Sequence, residues 1–370
     1  MRIMTVCTTS FGFNGITGVI MNYFENMDDS NIAMDFVVIN DVDKGLKDRI
    51  NKKSETLFKP SKIFKIQGRN KNPFGYIKNL TRILKEGDYD IIHIHGNSAT
   101  MLTELIAAKK AKVKVRIVHS HNTTCTHKII HNLAKRSFHK SYTHRFACGE
   151  LAGKWLYGDR DFIVINNGVD TLKFEYKKEI REAAREELGL NNKKVIGHIG
   201  HFSYQKNHEY VLKLFSNIYK RDSDYELILI GDGKLKEEMI DYAKELEISS
   251  NVRFVGRTHE VVKYMHAFDM LILPSRFEGL PLTIIEAVSN ALPCIISDKV
   301  SKEAIIDGFV TSISLDNMEE WVENILALPI NKREENKGKS IALVEEKGYD
   351  IHKNAKELIN MYKNFLEEMG

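Results

Sequence analysis

The clearest chemical signal in the sequence is a pair of glutamates, Glu278 and Glu286, which are eight residues apart. Glu278 falls in a loop after an apolar stretch, and Glu286 falls inside the apolar helix predicted to follow. Pro281 suits the first position of this helix, so the amides of Gly279 and Leu280 should point from its N-terminus. A carboxylate among apolar residues needs a partner, and a polyhydroxylated ligand offers several. The alternative for Glu286 is a structural carboxylate bound to the backbone.

A lysine in a glycine-led loop is the second signal. Gly200 and His201 follow another apolar stretch, and Lys206 comes just before a helical pattern. A lysine at the end of a strand suits the binding of a diphosphate, whose negative charge it neutralises. Gly231 and Gly233 follow the next apolar stretch in the same way.

Imidazoles at two further strand ends offer hydrogen bonds. His95 follows a strand predicted at 91–94, and His119 and His121 follow one at 115–118. Such groups can bind a sugar hydroxyl or a developing charge, although a surface or satisfied core histidine is the alternative for each. We expect His119 and His121 to point to opposite faces, and no carboxylate or cysteine stands at ligand spacing. A metal site is therefore not predicted.

Glycines also precede the first predicted helix. Gly12, Gly15 and Gly18 follow the first apolar stretch, and Asn14 stands beside Gly15. Glycines let backbone amides approach a ligand, and a helix N-terminus favours an anion. A tight turn between strand and helix explains the same pattern equally well.

Short apolar strands alternate with helical patterns along the chain. The first series has strands at 3–7, 36–39, 91–94, 115–118, 146–148 and 162–165, and helices at 77–85, 102–110 and 128–140. The second series has strands at 195–199, 227–230, 254–255, 270–273 and 294–296, and helices at 177–188, 207–219, 234–246 and 281–290. Strands that are apolar throughout and alternate with helices indicate buried parallel sheets.

Two such series predict an α/β protein with two doubly wound, Rossmann-like domains. The domains 1–168 and 169–350 join at the turn ending in Gly168, and a helix within 351–370 ends the chain. Ligands of open α/β sheets bind at the carboxyl ends of the strands. We therefore expect the two domains to face each other across a cleft that holds the site.

The composition of the chain limits the classes of protein to which it can belong. The chain has 370 residues, of which 43% are hydrophobic and 28% charged, as in soluble globular proteins. No apolar run approaches the roughly 18 residues of a membrane span, and the N-terminal residues do not resemble a signal peptide. The four cysteines are scattered without a Cys-x-x-Cys pair. These features predict a cytoplasmic protein with reduced thiols.

Basic residues concentrate in the first predicted domain. Residues 1–168 hold 26 Lys and Arg against 15 Asp and Glu, a net charge of +11. The segment 105–149 has ten Lys and Arg, six His and no acidic residue. Such a patch favours an anionic surface or substrate, and a solvated basic face is the alternative. Few aromatic residues interleave with it, so nucleic acid is not an expected partner.

Taken together, these segments resemble glycosyltransferase family 4, which has the GT-B fold. The Glu278–Glu286 spacing resembles the E-x7-E motif of that family. Further segments match its motifs in order and over essentially the whole chain: Asp90–His95, His121, Ile165–Asp170 with Phe174, Gly200–Lys206, Leu229–Leu235, Asn251–Gly256, and Ala291–Ile296 with Glu303. Each motif is weak alone, but the ordered set is specific.

The resemblance implies that the second domain binds the donor, and it implies roles for the matching residues of that domain. Glu286 would hold the ribose hydroxyls of a nucleotide-sugar donor. Glu278 would contact hydroxyls of the transferred sugar, with the backbone of Gly279, Leu280 and Pro281 close by.

The resemblance also implies how the phosphates and the acceptor are bound. Lys206 and His201 would clamp the donor diphosphate, and Gly15 would lie beside a donor phosphate and the acceptor. Asn14 and His95 are expected on the acceptor side, in the first domain, and the C-terminal helix would pack back on that domain. His121 would lie beside the transferred sugar. The expected catalytic residues are His121, Lys206 and Glu278.

One departure from the family pattern concerns the diphosphate clamp. Position 201 is His, where the family usually has Arg. An imidazole lacks the guanidinium fork, and its charge depends on pH. We therefore expect a clamp that is weaker than usual, or one that low pH or another base strengthens. Residue 291 is Ala where Gly is common, a change that we regard as harmless.

The family implies a retaining transfer of a hexose-type sugar without a metal or other cofactor. Negative charge grows on the departing diphosphate, and Lys206, His201 and helix N-terminal amides would stabilise it. In the usual account for this family, the acceptor attacks the face that the diphosphate leaves, and a phosphate oxygen takes its proton. Uridine is the expected base because the family uses it most often.

The helix predicted at 128–140 bears on the acceptor. It carries the apolar residues Ile129, Ile130, Leu133 and Phe138 together with several basic residues. A basic amphipathic helix can lie on an anionic membrane, so we expect a peripheral position at the inner membrane face. A lipid-linked saccharide in surface polysaccharide assembly, such as exopolysaccharide or capsule, is then the expected acceptor. An ordinary sheet-packing helix is the alternative.

Two other functions fit parts of the sequence. A catalytically silent nucleotide-sugar-binding subunit is favoured only by His201, and Lys206, Glu278 and Glu286 argue against it. A sugar epimerase or a phosphorylase would share the fold. The E-x7-E spacing and the lack of a cofactor-lysine signature disfavour both.

Overall fold

The computed structural model describes residues 1–12, 14–28, 30–329 and 332–370. The chain divides into two compact units, of which the first comprises Met1–Gly168 and Ile351–Gly370. The second unit is Val169–Asp350. The division falls at the turn where the sequence pattern places the join.

Within the described residues, the first unit holds a seven-stranded parallel sheet. Its strands are β1 (Arg2–Cys7), β2 (Ala33–Val38), β3 (Ile63–Lys65), β4 (Ile91–Gly96), β5 (Val115–Ser120), β6 (His144–Ala147) and β7 (Ile163–Val164). The helices between them are α1 (Gly15–Asn26), α2 (Lys44–Ser54), α3 (Pro73–Gly87), α4 (Leu102–Lys110), α5 (Lys128–Phe138) and α6 (Glu150–Tyr157). The strand order is β3-β2-β1-β4-β5-β6-β7.

The second unit holds a six-stranded parallel sheet in its described residues. Its strands are β8 (Lys194–Ile199), β9 (Tyr225–Ile230), β10 (Val252–Gly256), β11 (Met270–Leu273), β12 (Cys294–Ser297) and β13 (Val310–Ile313). Its helices are α7 (Thr171–Phe174), α8 (Lys178–Glu187), α9 (His208–Arg221), α10 (Lys236–Glu245), α11 (Val261–Ala267), α12 (Leu282–Ser289), α13 (Met318–Ala327) and α14 (Arg333–Glu346). The strand order is β10-β9-β8-β11-β12-β13.

The last helix, α15 (Ile351–Glu367), belongs to the first unit. Ala355, Leu358, Ile359 and Tyr362 recur at helical spacing and are buried in one cluster with residues of α1. An apolar stripe of this kind binds a helix to a core while its opposite face stays in water.

Each sheet is covered by apolar side chains on both faces. In β4, for example, Ile91 belongs to one core cluster and Ile92 to another, and neither is exposed. Burial on both faces explains why these strands are apolar throughout, without the alternation of half-exposed strands. The prediction of an α/β fold with two doubly wound sheets is confirmed.

The strand order reverses at one point in each sheet. β1 lies between β2 and β4, and β8 lies between β9 and β11. Loops that leave neighbouring strands at such a point diverge, which opens a crevice at the carboxyl ends of the strands. The predicted site residues of each unit follow these strands.

Several element bounds differ from the predicted ones. β4 and β5 continue to Gly96 and Ser120, so His95 and His119 lie within strands and not after them. The edge strands β3 and β13 were not predicted, because β3 is short and partly exposed and β13 contains two exposed polar residues. The helix after Glu278 begins at Leu282, so Pro281 is its N-cap residue and not its first residue.

Candidate functional site

Three hydrogen bonds join the loop after β8 to the loop after β11. The Arg276 amide donates to the Gln205 carbonyl at 2.8 Å, and the Gln205 side chain donates to the Phe277 carbonyl at 3.1 Å. The Asn207 side chain donates to the Pro274 carbonyl at 3.0 Å. These bonds fix the two segments that carry Lys206 and Glu278 beside each other.

Lys206 and Glu278 form a close ion pair. The lysine Nζ is 2.6 Å from the glutamate Oε1, and the two side chains are 18% and 11% exposed. The Ser275 hydroxyl donates to the same Oε1 at 3.2 Å. Charge-assisted hydrogen bonds are strong where water is largely excluded. An anion that binds Lys206 must therefore compete with the carboxylate of Glu278.

The backbone around Glu278 is fixed by the segment after β12. The Glu278 amide donates to the Lys299 carbonyl at 3.3 Å, and the Ser301 amide donates to the Glu278 carbonyl at 3.1 Å. Gly279 is exposed, and no atom lies within 4 Å of the position that its Cβ would take. Leu280 is partly buried and Pro281 is buried. A ligand can thus approach the backbone of Gly279 from the solvent.

Glu286 lies on α12 as a partly buried carboxyl group. Burial raises its pKa to about 7, and the positive charge of Lys173 opposes this rise. Among the described residues, none forms a hydrogen bond with its carboxylate. The alternative of a carboxylate bound to the backbone therefore has no support here. Such a group is suited to accept hydrogen bonds from ligand hydroxyls.

The loop after β9 packs against the backbone around His201. The side chain of His201 is exposed. Gly231 has a φ of 144°, and a Cβ there would lie 1.9 Å from the Gly200 carbonyl oxygen. The Phe202 amide donates to the Asp232 carbonyl at 3.0 Å. The two glycine-led loops therefore pack backbone to backbone.

Two buried histidines near Lys206 were missed by the sequence reasoning. His208 opens α9 and stacks on Phe202 with ring centroids 3.8 Å apart, and His198 lies 4.6 Å from His208. Burial lowers the pKa of His198 to about 4 and that of His208 to about 2, so both are neutral near pH 7. Their positions next to the glycine-led loop are the only signal that could have revealed them.

Four histidines form a stacked array in the first unit. The rings of His93 and His95 of β4 lie with centroids 4.1 Å apart and planes tilted by 30°, and His119 of β5 stacks on His121 with centroids 4.1 Å apart. Across the strands, His95 Nδ1 is 2.9 Å from His121 Nε2, and His93 Nε2 is 3.2 Å from His119 Nδ1. The expectation that His119 and His121 point to opposite faces was wrong, because alternate residues of a strand share a face.

The helix α15 completes this array. The hydroxyl group of Tyr362 is 2.7 Å from His93 Nδ1. Burial lowers the pKa of His93 and of His121 to about 3, and it lowers the pKa of His95 and of His119 well below the usual value of a histidine. All four imidazoles are therefore neutral near pH 7.

The same array contains a set of nitrogen atoms that could hold a metal ion. Ring nitrogens of His93, His95 and His119 lie within 4.8 Å of one another, and neutral imidazole is a ligand for transition metals. Nitrogens of all three rings are already engaged, however, because His93 Nε2 is hydrogen-bonded to His119 Nδ1 and His95 Nδ1 to His121 Nε2. The absence of a metal from the reaction stays a prediction.

Asn14 and Gly15 stand together at the start of α1. The Asn14 Oδ1 accepts a hydrogen bond from the Thr17 amide at 3.1 Å, as an N-cap residue does. Gly15 is exposed, and no atom lies within 4 Å of the position of a Cβ there. β1 pairs with β4 so that Cys7 is opposite His95, and this loop therefore leaves the sheet beside His95.

The helix α5 leaves apolar side chains in the solvent. Ile129 is 78% exposed, Ile130 55% and Leu133 79%, whereas His131 and Phe138 are buried. Packing on the sheet therefore accounts for Phe138 but not for the other apolar residues. None of the helices in the part of the chain that the structure describes is both long and apolar enough to cross a membrane.

Fold and site together define a class. Two doubly wound parallel sheets, a lysine–glutamate pair at a reversal of strand order, and a carboxylate eight residues further on are the features of a GT-B glycosyltransferase. A profile described as "Glycosyltransferase Family 4" matches residues 14–173, and one described as "Glycosyl transferases group 1" matches residues 180–342. The chain belongs to glycosyltransferase family 4, and the predicted family and enzyme class are confirmed.

Two bacterial relatives resemble most of the chain. EpsF of Bacillus subtilis (strain 168), named as a glycosyltransferase, is 30% identical over 363 residues, which are 94% of this chain and 93% of that protein. The UDP-Gal:alpha-D-GlcNAc-diphosphoundecaprenol alpha-1,3-galactosyltransferase of Escherichia coli is 29% identical over 273 residues, which are 69% of this chain and 70% of that protein.

A solved structure shares the fold. Anabaena Alr3699/HepE, crystallised in complex with UDP-glucose, aligns with a TM-score of 0.75 over 98% of this chain and 100% of that chain. The two sequences are 16% identical. The likeness extends across both units of the chain.

Proposed function

We propose that this glycosyltransferase moves a hexose-type sugar from a UDP-sugar to a saccharide or lipid-linked saccharide in surface polysaccharide assembly. The transfer retains the anomeric configuration and needs no metal. The observation that carries this proposal is Glu286, a partly buried carboxylate with no hydrogen bond from any described residue, on the helix that follows the Lys206–Glu278 pair. A ribose diol would supply the missing donors.

The choice of UDP rests on the relatives. The Escherichia coli relative is named for a UDP-galactose donor, and the Anabaena structure contains UDP-glucose. The first of these is similar to this chain in sequence, and the second shares its fold. The proposed lipid-linked acceptor follows the diphosphoundecaprenol in the name of the Escherichia coli relative.

The ion pair suggests how the donor diphosphate would be bound. Lys206 is held 2.6 Å from Glu278, so its charge is neutralised while the site contains no anion. A diphosphate would draw Lys206 away and leave the Glu278 carboxylate to accept hydrogen bonds from the transferred sugar. Lys206 would then stabilise the charge that grows on the leaving diphosphate, an effect worth about 3–4 kcal/mol in comparable sites.

The same geometry disfavours a hydrolase-like use of the two glutamates. A retaining hydrolase needs one free carboxylate as nucleophile and a second as acid. Glu278 is engaged by Lys206 and by the Ser275 hydroxyl, which suits binding better than nucleophilic attack. We therefore propose that the acceptor attacks the sugar directly, and that a phosphate oxygen takes its proton.

Thermal unfolding with UDP, GDP and ADP tests this proposal. A ligand that binds only the native state stabilises it by about 2.7 kcal/mol at a hundredfold excess over its dissociation constant. We expect a shift with UDP in the wild type and none in Glu286→Ala. A transfer assay in EDTA then tests the metal independence, because chelation should leave the rate unchanged.

The same experiments distinguish the proposed transferase from a catalytically silent binding subunit. His201, where the family usually has arginine, is the feature that favours it. UDP binding without transfer to any saccharide or lipid-linked acceptor would support the silent subunit. No shift with any of the three nucleotides would contradict both proposals.

A further inference from the structure

The hydrogen bond between His95 and His121 uses one nitrogen of each ring. His95 Nδ1 and His121 Nε2 are 2.9 Å apart, and no other described residue forms a hydrogen bond with either ring. A neutral imidazole has one N–H and one lone pair. The bond therefore leaves Nδ1 of His121 and Nε2 of His95 as outer atoms, and one of them carries a hydrogen while the other does not.

The surroundings hold this pair in one orientation. The ring of His95 packs against that of His93 and the ring of His121 stacks on that of His119, each with centroids 4.1 Å apart. The carbonyl of His95 accepts hydrogen bonds from the Thr8 amide at 3.1 Å and the Thr8 hydroxyl at 2.9 Å. Backbone and ring of His95 are thus both constrained, whereas His121 lies just beyond the end of β5 and is partly exposed.

We propose that His95 is a positioning residue, which holds the imidazole of His121 in one tautomer, so that its Nδ1 can bind a hydroxyl of the transferred sugar. This inference rests on the proposed function, because it takes the sugar as the partner of His121. Positive charge develops on the sugar as the diphosphate leaves. A neutral His121 can hydrogen-bond the sugar without repelling that charge, whereas an imidazolium would oppose it.

Two substitutions of His95 distinguish positioning from general structure. The side-chain amide of Asn lies near the place of Nδ1, whereas that of Gln lies near the place of Nε2. His95→Asn should therefore keep the bond to His121 and retain a higher kcat than His95→Gln. His95→Gln should lower kcat about 10- to 100-fold, as loss of an orienting partner does at other histidine sites, with little change in the donor KM.

The matched control is His93, two residues earlier on the same face of β4. It is equally buried and bonds His119 and Tyr362, but it forms no hydrogen bond with His121. His93→Gln should therefore lower kcat clearly less than His95→Gln does, provided that the two variants have matching thermal midpoints. Equal kcat values for the Asn and Gln variants of His95, or an equal loss in His93→Gln, would overturn the proposal.

A second readout does not depend on activity. In protein labelled with 15N at histidine, the ring nitrogen shifts of His121 should show one fixed tautomer in the wild type and in His95→Asn. They should show mixed tautomers in His95→Gln. An unchanged His121 spectrum in His95→Gln would overturn the proposal even if no transferase activity were found.

Discussion

At the scale of single residues, Glu286 makes the stability of the folded protein depend on pH. Its pKa is raised to about 7 by burial, so the folded state binds a proton that the unfolded carboxyl releases above its usual value of 4.5. A group with a raised pKa contributes stability that is present at low pH and is lost as pH rises through the folded pKa. Its contribution should therefore decline between about pH 4.5 and 7.

Glu286→Gln tests this linkage. The variant should be more stable than the wild type at pH 8 by roughly 1–3 kcal/mol, and the difference should shrink toward pH 4.5. Denaturant unfolding at several pH values measures the difference directly. Greater stability of the wild type at pH 8 would mean that a partner in the protein already satisfies the carboxylate.

His201 gives a second prediction at this scale, for ligand affinity. An arginine presents a planar fork of donors that matches a phosphate, whereas an imidazole lacks this fork. His201→Arg should therefore bind UDP about five- to twentyfold more tightly than the wild type at pH 8. Titration calorimetry of both proteins in the same buffer measures this ratio of affinities. Protonation of UDP affects both measurements equally and therefore does not change the ratio.

Equal affinities of the His201→Arg and wild-type proteins at pH 8 would show that position 201 lies outside the diphosphate clamp. They would also remove the one feature that favours a silent subunit.

Residue types and their order predicted that Lys206 and Glu278 belong to one site, because each residue falls in a loop after a strand of the same series. The sequence could not predict that the two side chains form an ion pair, since that depends on the contact between two loops. It also could not reveal that His198 and His208 are buried together, with the carbonyl of the distant Ile272 hydrogen-bonded to His198. The four-histidine array was missed for a simpler reason, since the strands were predicted to end too early.

At the scale of elements, Gly231 tests how the loops of the second unit are packed. A Cβ at Gly231 would lie 1.9 Å from the Gly200 carbonyl, in a backbone conformation that L-residues rarely adopt. Gly231→Ala should therefore destabilise the protein by about 2–4 kcal/mol and weaken UDP binding. Gly338 in the middle of α14 has open space around it, so Gly338→Ala should be stabilising by about 0.5–1 kcal/mol.

Unfolding in urea at fixed pH measures both glycine variants. If the two alanine variants proved equally stable, the loops after β8 and β9 would have room to separate, and the close packing would not constrain the site.

The helix α5 supports a prediction about membranes. Ile129 and Leu133 are more than three-quarters exposed on a helix whose last turn carries Lys135 and Arg136. A double substitution, Ile129→Ser with Leu133→Ser, should reduce sedimentation with anionic phospholipid vesicles by about tenfold. Leu151→Ser on α6 is a matched control, because Leu151 is 68% exposed outside this helix.

Binding of the α5 double variant as tight as that of the wild type would refute the membrane role. Binding that is equally strong to vesicles without anionic lipid would refute the electrostatic part of it.

Element types were predictable because burial on both faces makes the central strands apolar throughout. The edge strands β3 and β13 were not predicted because they are not buried on both faces. β13 has two exposed residues in four, so its pattern resembles that of a loop. The division at Gly168 is marked by a turn, but the return of α15 to the first unit followed only from the family resemblance and not from the pattern of the helix itself.

At the scale of the whole molecule, the two units should respond to acid in different ways. In the first unit, burial lowers the pKa values of His93, His95, His119 and His121. A histidine with a depressed pKa binds its proton more readily in the unfolded state. Its stabilising contribution is therefore lost as pH falls below about 6.5. In the second unit, the depressed pKa values of His198 and His208 act in the same direction, but the raised pKa of Glu286 opposes them between about pH 4.5 and 7.

The two tryptophans allow each unit to be followed separately. Trp155 lies on α6 of the first unit, and Trp321 is buried on α13 of the second. In a Trp321→Phe variant, the unfolding midpoint reported by Trp155 should fall steeply between pH 7 and 5. In a Trp155→Phe variant, the midpoint reported by Trp321 should fall less over the same range. Parallel declines would mean that the units unfold as one cooperative body, and a flat response of Trp155 would mean that the histidine array takes up protons without unfolding.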